Sequence, residues 1–223
     1  MHFEVLVEDA SGKAALDILI PRIIGEQHTF RVIAYRGVGH IPRDLAGIGG
    51  IKARLLLHHL PQLLRGYGRT FAGYPAGYPA AVIVVCDLDD KCLKAFRQQL
   101  FTVLNSCNPQ PTTRFCIAVE EGEAWLLGDI PAIKTAYPGA RSDVLNSYWS
   151  DSICGTWELL ADALFAGGSS GLRKNGWQAV GREKILWSEN IAPRMDVAVN
   201  TSPSFQYFRI RLRELATSSE ENP

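Results

Sequence analysis

The stretch AAVIVVCDLDDK, residues 80–91, runs an unbroken apolar segment straight into three carboxylates. Val82, Ile83, Val84, Val85 and Cys86 show no polar alternation, which is the pattern of a strand covered on both faces. Asp87, Asp89 and Asp90 then stand together at its carboxyl end. Two unit charges about 4 Å apart repel by roughly 4 kcal/mol at an effective dielectric near 20. The chain must either splay these acids into water or place a positive charge among them.

Outward from that strand, strand and helix patterns alternate. FEVLVED (3–9) reads as a first strand and SGKAALDILIPRIIG (11–25) as the helix after it. Ser11 is its N-cap candidate, Leu16, Leu19, Ile20 and Ile23 form the apolar stripe, and Pro21 kinks or ends it. FRVIAY (30–35) reads as a second strand. A glycine-rich section from Gly37 to Gly50 leads into IKARLLLHHLPQLLRG, helical in period until Pro61. GYGRTFAGYPAGYPA then reads as a surface connection. Its two-copy Ala-Gly-Tyr-Pro echo is too short to build a repeat architecture. KCLKAFRQQLFTVLNSC follows as a helix and RFCIAVEEGEAWLLGD as a strand passing into a helix. This alternation predicts an α/β fold, a mainly parallel Rossmann-like sheet flanked by helices, over residues 1–136.

After residue 137 the texture changes to short helical patches separated by Gly, Ser and Pro, with no strand pattern. TSPSFQYFRIRLREL closes the chain with Ser202 as N-cap, Pro203 at the first helical position and Phe205, Phe208, Leu212 and Leu215 on one face. Residues 137–217 are expected to form a helical C-terminal extension packed on the core, and 218–223 a disordered tail. GGSSG (167–171) reads as a flexible surface loop.

Composition excludes several classes. The 223 residues carry 23 basic and 23 acidic side chains, so the total does not announce a strongly basic nucleic-acid binder, and any basic surface must be local. An apolar content of 47% and a charged content of 21% are ordinary for a globular protein. The five cysteines include no CxxC pair and several lie in apolar contexts, which favours buried thiols over disulfides or zinc. Acids interrupt the first apolar run, no run approaches the ~20 residues of a membrane span, and a cytoplasmic protein is expected.

Three predicted strands end in acids: Glu8 and Asp9, Asp87 and Asp89, and Glu120 and Glu121, with Glu123 one short turn later. In open parallel sheets ligands bind outside the carboxyl ends of the strands. If these strands are neighbours, their acids meet at one edge. Hard oxygen donors of this kind select Mg²⁺ or Mn²⁺. Taken singly, each acid is also explained as the first turn of a helix, where the dipole favours negative charge. Asp90 reads that way.

The order of a Glu after the first strand and Asp-x-Asp after a later apolar strand resembles the Toprim domain, shared by topoisomerases, bacterial primases and the nuclease part of OLD-family proteins. LVEDASGKAALDILIPRII, VIVVCDLDD, IAVEEGEAWLLGD and SPSFQYF are together similar to a family of small stand-alone bacterial Toprim-related proteins, catalogued as a domain of unknown function. Some of its members are encoded beside ATPases in apparent phage-defence loci. The resemblance implies a nuclease or other phosphodiester-cleaving enzyme, with Mg²⁺ or Mn²⁺ as cofactor and nucleic acid and an ATPase as partners. It implies Glu8 as general acid/base or metal ligand, Asp87 and Asp89 as the metal pair, and Glu120 and Glu123 as acids for a second cation. Familiar members often carry Gly after the first Glu, where this chain has Asp9. Two other functions fit the same residues: a non-catalytic module binding nucleic acid or a partner protein, and a nucleotidyl- or glycosyl-transferase using the Asp-x-Asp motif.

Other signals are weaker. SGK at 11–13 is not a phosphate loop, because Val7 and Ala14 stand where Gly and Ser or Thr are required. Lys13 reads as a solvated first-turn lysine that could still reach a phosphate. His58 and His59 are adjacent on a helix and point to different sides. Asp90-Lys91 does not continue DLDD as the aspartyl-nucleophile phosphatase motif does. Basic residues gather at Arg31, Arg36, His40, Arg43, Lys52 and Arg54, and at Arg173, Lys174, Arg182 and Lys184, with Trp177, Trp187 and Tyr207 nearby in sequence. Such a set can track a phosphate backbone. Lys13, Arg36 and Lys184 are the candidate phosphate or nucleic-acid contacts.

Overall fold

The computed structural model describes residues 1–42, 45, 55–75, 77–152 and 154–218. The chain runs β1 (His2–Val7), α1 (Ala10–Ile24), β2 (Thr29–Ala34), α2 (Leu56–Ala72), β3 (Ala80–Asp87), α3 (Leu93–Asn105) and β4 (Thr113–Ala118). Helices then follow without another strand: α4 (Glu123–Leu127), α5 (Ile130–Ala136), α6 (Ser142–Leu145), α7 (Thr156–Leu164), α8 (Gly168–Lys174), α9 (Trp177–Ile191), a 3₁₀ turn at Ala192–Arg194, and α10 (Pro203–Ser218). The four strands form one all-parallel sheet in the order β2-β1-β3-β4. The fold is therefore α/β and Rossmann-like, with a helical C-terminal region.

Side-chain alternation along β3 explains why its sequence shows none. Ala81, Ile83 and Val85 join Phe3, Val5, Leu16, Trp187 and Phe208 in the core on one face. Val82, Val84 and Cys86 join Leu57, Leu60, Leu64, Phe96 and Leu100 on the other. Both faces are covered, so every position is apolar.

The C-terminal helices share the first of these cores. Trp125 of α4 stacks on Phe208 of α10 with ring centroids 4.9 Å apart, and its indole N–H donates to Ser204 Oγ at 2.9 Å. The fully buried Asn200 donates to the Trp125 carbonyl at 2.8 Å. Phe205, Phe208 and Leu212 have no exposed surface, and burying each such side chain contributes about 1.5–3 kcal/mol. Ser202 caps α10 as expected, its Oγ accepting from the Phe205 N–H at 3.2 Å.

Several local expectations are corrected. The N-cap of α1 is Asp9, whose carboxylate accepts from the Gly12 N–H and the Ser11 hydroxyl, each at 2.7 Å. Pro21 does not stop α1, which runs on to Ile24 because Ile20, Ile23 and Ile24 are anchored in the core. Neither Pro61 nor the glycines end α2. Leu60, Leu64, Tyr67 and Phe71 continue one apolar stripe, and packing overrides propensity. Gly68 is required there, since a Cβ would lie 2.0 Å from the Pro109 carbonyl oxygen. GGSSG is not a loop: it opens α8, with the Ser169 N–H donating to Asp162 Oδ1 at 2.6 Å. Asp90 precedes α3, whose first residue is Leu93.

The thiols of Cys86, Cys107 and Cys116 are buried and those of Cys92 and Cys154 exposed, all of them free. Among the described residues no helix is long and apolar enough to cross a membrane. Arg43, Lys52, Arg54, half of the glycine-rich section and residues 219–223 of the expected tail lie outside the described residues.

Candidate functional site

Parallel register sets the site. Val7 of β1 pairs with Val85 of β3, and Asp87 of β3 with Ala118 of β4, so the residues after each strand emerge side by side. Glu8 and Asp87 meet there, the Asp87 N–H donating to Glu8 Oε2 at 3.4 Å. Burial pushes the Glu8 carboxyl up to about 7, helped by the charge of Asp89. Asp87 is likewise held well above the usual carboxylate range, first by burial and then by the charge of Glu8.

The positive charge among the acids comes from the far end of the chain. Lys184 of α9 reaches back so that its Nζ lies 2.9 Å from Glu123 Oε2 and 3.8 Å from Glu121 Oε1. Only 15% of its side chain and 3% of that of Glu123 is exposed. Burial works against the charged form of Lys184, yet Glu123, Glu121, Asp87 and Asp9 together hold it protonated, far above the usual lysine range. Burial raises the Glu121 carboxyl to about 7 and moves Glu123 up as well, with Lys184 opposing both. Glu8, Asp9, Asp87, Glu123, Lys184 and Ser188 line a cavity of about 40 Å³. That is room for an ion with a water or so, not for a substrate.

The remaining predicted acids are placed differently. Asp89 adopts φ 50°, its N–H donates to the Glu120 carbonyl at 3.0 Å, and its carboxylate pairs with Lys91 at 2.5 Å on the solvent side. The two aspartates of DLD thus part: Asp87 turns inward and Asp89 stands at the rim. Glu120 spends its carboxylate on the start of α7, accepting from the Thr156 N–H at 2.8 Å and from the Gly155 N–H. Glu120, expected with Glu123 as an acid for a second cation, is thus turned away, and Glu121 is the acid beside Lys184. It also accepts from the Trp157 N–H at 3.3 Å.

The chain matches no protein-family model, no curated protein and no solved structure.

Three basic candidates separate by position. Lys13 pairs with Asp17 at 2.7 Å on the exposed side of α1, which supports the solvated reading. Arg36 is exposed and lies between two backbone bonds to the site strand, Tyr35 N–H to the Val7 carbonyl at 2.9 Å and Gly37 N–H to the Glu8 carbonyl at 3.0 Å. It therefore flanks Glu8. Lys184 is the internal counter-ion rather than a surface contact. His58 pairs with His40, its Nε2 2.9 Å from His40 Nδ1, and not with His59.

A stacking surface adjoins the acids. Trp157, whose backbone N–H donates to Glu121, packs edge-on against Trp177 at 6.0 Å and carries the Arg173 guanidinium over its ring at 5.0 Å. Trp177 is 72% exposed. Tyr207 is flanked by Arg97 and Arg211 at 5.8 and 4.9 Å. Trp187, by contrast, is buried in the core.

Donor chemistry and donor geometry point different ways for a metal. The oxygens of Glu8, Asp87, Glu121 and Glu123 are the hard donors Mg²⁺ or Mn²⁺ prefers. Among the described residues, however, no three His, Cys, Asp or Glu side chains converge as a metal cage. The ammonium of Lys184 stands in their midst.

Proposed function

We propose that this chain is a Toprim-like phosphodiesterase that uses Mg²⁺ or Mn²⁺ and cleaves nucleic acid, in the setting of phage defence that the resemblance implies. The observation that carries this reading is the meeting of Glu8 and Asp87 at the ends of adjacent parallel strands, with both carboxyls held above their ordinary range. Such an arrangement gains stability when a cation enters. Glu8 and Asp87 are the residues that would hold it, with Asp89 at the rim and Glu123 paired to Lys184. A divalent cation held at the mouth of the cavity they line would supply charge neutralisation to a phosphoryl group and would acidify a bound water.

The chain's own groups supply the rest. Burial leaves Glu8 with a pKa of about 7 in the metal-free chain, and a cation bound beside it would hold it as the carboxylate. Arg36 beside Glu8 offers positive charge to a phosphate outside the cavity. The exposed ring of Trp177, backed by the buried Trp157, offers a face on which a base could stack. The test is incubation of labelled DNA and RNA with the protein and Mn²⁺, in wild type and Asp87→Asn. Cleavage lost in the variant supports the assignment; unchanged cleavage removes it.

One observation favours a second reading. Lys184 already neutralises part of the acid cluster, as it would in a non-catalytic module that binds nucleic acid or a partner such as an ATPase. A module leaves every strand intact, alone and with that ATPase. The parting of Asp87 and Asp89 bears on the transferase reading and on the metal pair implied by the Toprim resemblance alike, since both rest on the same Asp-x-Asp motif. Calorimetry with a nucleotide diphosphate-sugar tests the transferase reading.

A further inference from the structure

The sheet order β2-β1-β3-β4 leaves two strands with one open side each. An open strand side is a template for another chain unless charge, proline or a covering element blunts it. β2 is blunted by its exposed Thr29 and Arg31. β4 is defended only at its ends. The Val82 N–H donates to the Thr112 carbonyl and the Leu88 N–H to the Ala118 carbonyl, each at 2.9 Å, so the even-numbered residues of β4 turn toward β3. The odd-numbered ones turn outward. Of these, the Thr113 carbonyl accepts from Arg114 at 3.1 Å and the Val119 N–H donates to Ser204 Oγ at 3.4 Å. Between them the outward N–H and C=O groups of Phe115 and Ile117 find no partner among the described residues.

Two helices wall this edge into a groove. Leu93 and Arg97 from α3, Phe115 and Ile117 from β4, and Pro203 and Tyr207 from α10 line a cavity of about 420 Å³. That volume lies in the range of ligand sites, roughly 300–1,000 Å³. The α3 wall continues with Phe101, which packs edge-on against Phe115 at 5.4 Å; Leu93 is 40% and Phe101 43% exposed. The charge left in the groove is positive. Arg97 lies over the Tyr207 ring at 5.8 Å and forms no ion pair among the described residues. Asp151, the acid at the other end, is already engaged, accepting from the Ser202 hydroxyl at 2.8 Å and the Ser204 N–H at 2.7 Å.

We infer that this groove takes an extended segment of a partner protein, which pairs with β4 as a fifth strand, sets apolar side chains against Leu93 and Phe101, and meets Arg97 with an aspartate or glutamate. Main-chain pairing supplies affinity and the arginine selects for acid. A second copy of this chain fits less well, because antiparallel pairing of two β4 edges sets each α3 beside its counterpart and Arg97 toward Arg97. The inference stands apart from the cleavage reading and needs no metal.

The experiment is selection of displayed random peptides on the immobilised full chain, followed by fluorescence anisotropy of those recovered. The recovered peptides should alternate apolar residues with Asp or Glu. Their lysine-substituted and N-methylated forms should bind at least tenfold more weakly. Arg97→Glu, a change at an exposed side chain, should weaken binding of the acidic peptides tenfold or more at an unchanged melting temperature. A bound peptide should also slow hydrogen exchange at the outward Ile117 amide and leave the inward Cys116 amide as it was. Failure to recover an acidic alternating family, equal binding by Arg97→Glu, or an Ile117 amide unaffected by the peptide each overturns the inference. A dimer in sedimentation that protects the Ile117 amide by itself gives the edge to a second copy and overturns it too.

Discussion

The ammonium of Lys184 on α9 and the carboxylate of Glu123 at the start of α4 lie 2.9 Å apart, both largely shut off from solvent. One ion pair thus ties the C-terminal helices to the ends of the sheet. Breaking a buried pair by removing one partner leaves an uncompensated charge and typically costs 3–5 kcal/mol. Lys184→Met is therefore expected to lose about 3–5 kcal/mol of stability at pH 7.5 without metal. Urea denaturation reads this, and a loss under about 1 kcal/mol would show the pair to be ornamental.

The raised carboxyls set an unusual pH dependence. Glu8 and Glu121 have folded pKa values of about 7 against an ordinary 4.5. Between these values the folded chain binds more protons than the unfolded chain, so the contribution of these groups to stability falls as pH rises. It is fully present below about pH 4.5 and gone above about pH 7. In EDTA the urea midpoint should drop between pH 5 and 7.5, and saturating Mg²⁺ should flatten that slope. A midpoint that climbs with pH in EDTA contradicts the burial of these acids.

Glu120 is expected to behave as a cap and not as a ligand. Its carboxylate accepts from the first backbone N–H groups of α7. Glu120→Ala should cost about 0.5–2 kcal/mol, as helix-cap losses do. In a cleavage assay below the melting temperature it should keep its dependence on Mn²⁺ concentration. A raised Mn²⁺ requirement would return Glu120 to the metal.

The stacking surface predicts a preference for unpaired bases. Trp177 is the exposed member of the pair that adjoins Glu121 through Trp157. Removing a base-stacking aromatic costs about 1–3 kcal/mol per base. Trp177→Ala should weaken binding of a single-stranded oligonucleotide about tenfold or more in fluorescence anisotropy, and leave binding of a blunt duplex nearly unchanged. Equal losses on both substrates would show that the ring does not stack on bases.

Much of the fold was legible because it rests on local patterns. The strand at 80–87, the acids after three strands and the Ser202–Pro203 helix start each follow from periodicity or capping chemistry within a few residues. The misjudged boundaries share a cause, since Pro21, Pro61 and Gly68 are breakers overruled by core packing that only the tertiary structure shows. The site was half legible. Glu8 and Asp87 meet as the strand pattern implied, but the partner of the cluster lies far along the chain. A signal for Lys184 did exist: it falls on the stripe of Val180, Trp187 and Ile191, one charged residue in an otherwise buried row. The division between Glu120 and Glu121 left no such trace, because it depends on where the start of α7 lies.

We propose above that Glu8 and Asp87 form a cation-dependent site for phosphodiester cleavage. It is tested most directly by incubating labelled single-stranded DNA and RNA with the full chain in Mn²⁺, in wild type and Asp87→Asn matched for folded fraction by circular dichroism. Wild type should cleave, EDTA should abolish that cleavage, and Asp87→Asn should fall to background. Cleavage by Asp87→Asn at the wild-type rate, or strands left intact by both proteins, would contradict it.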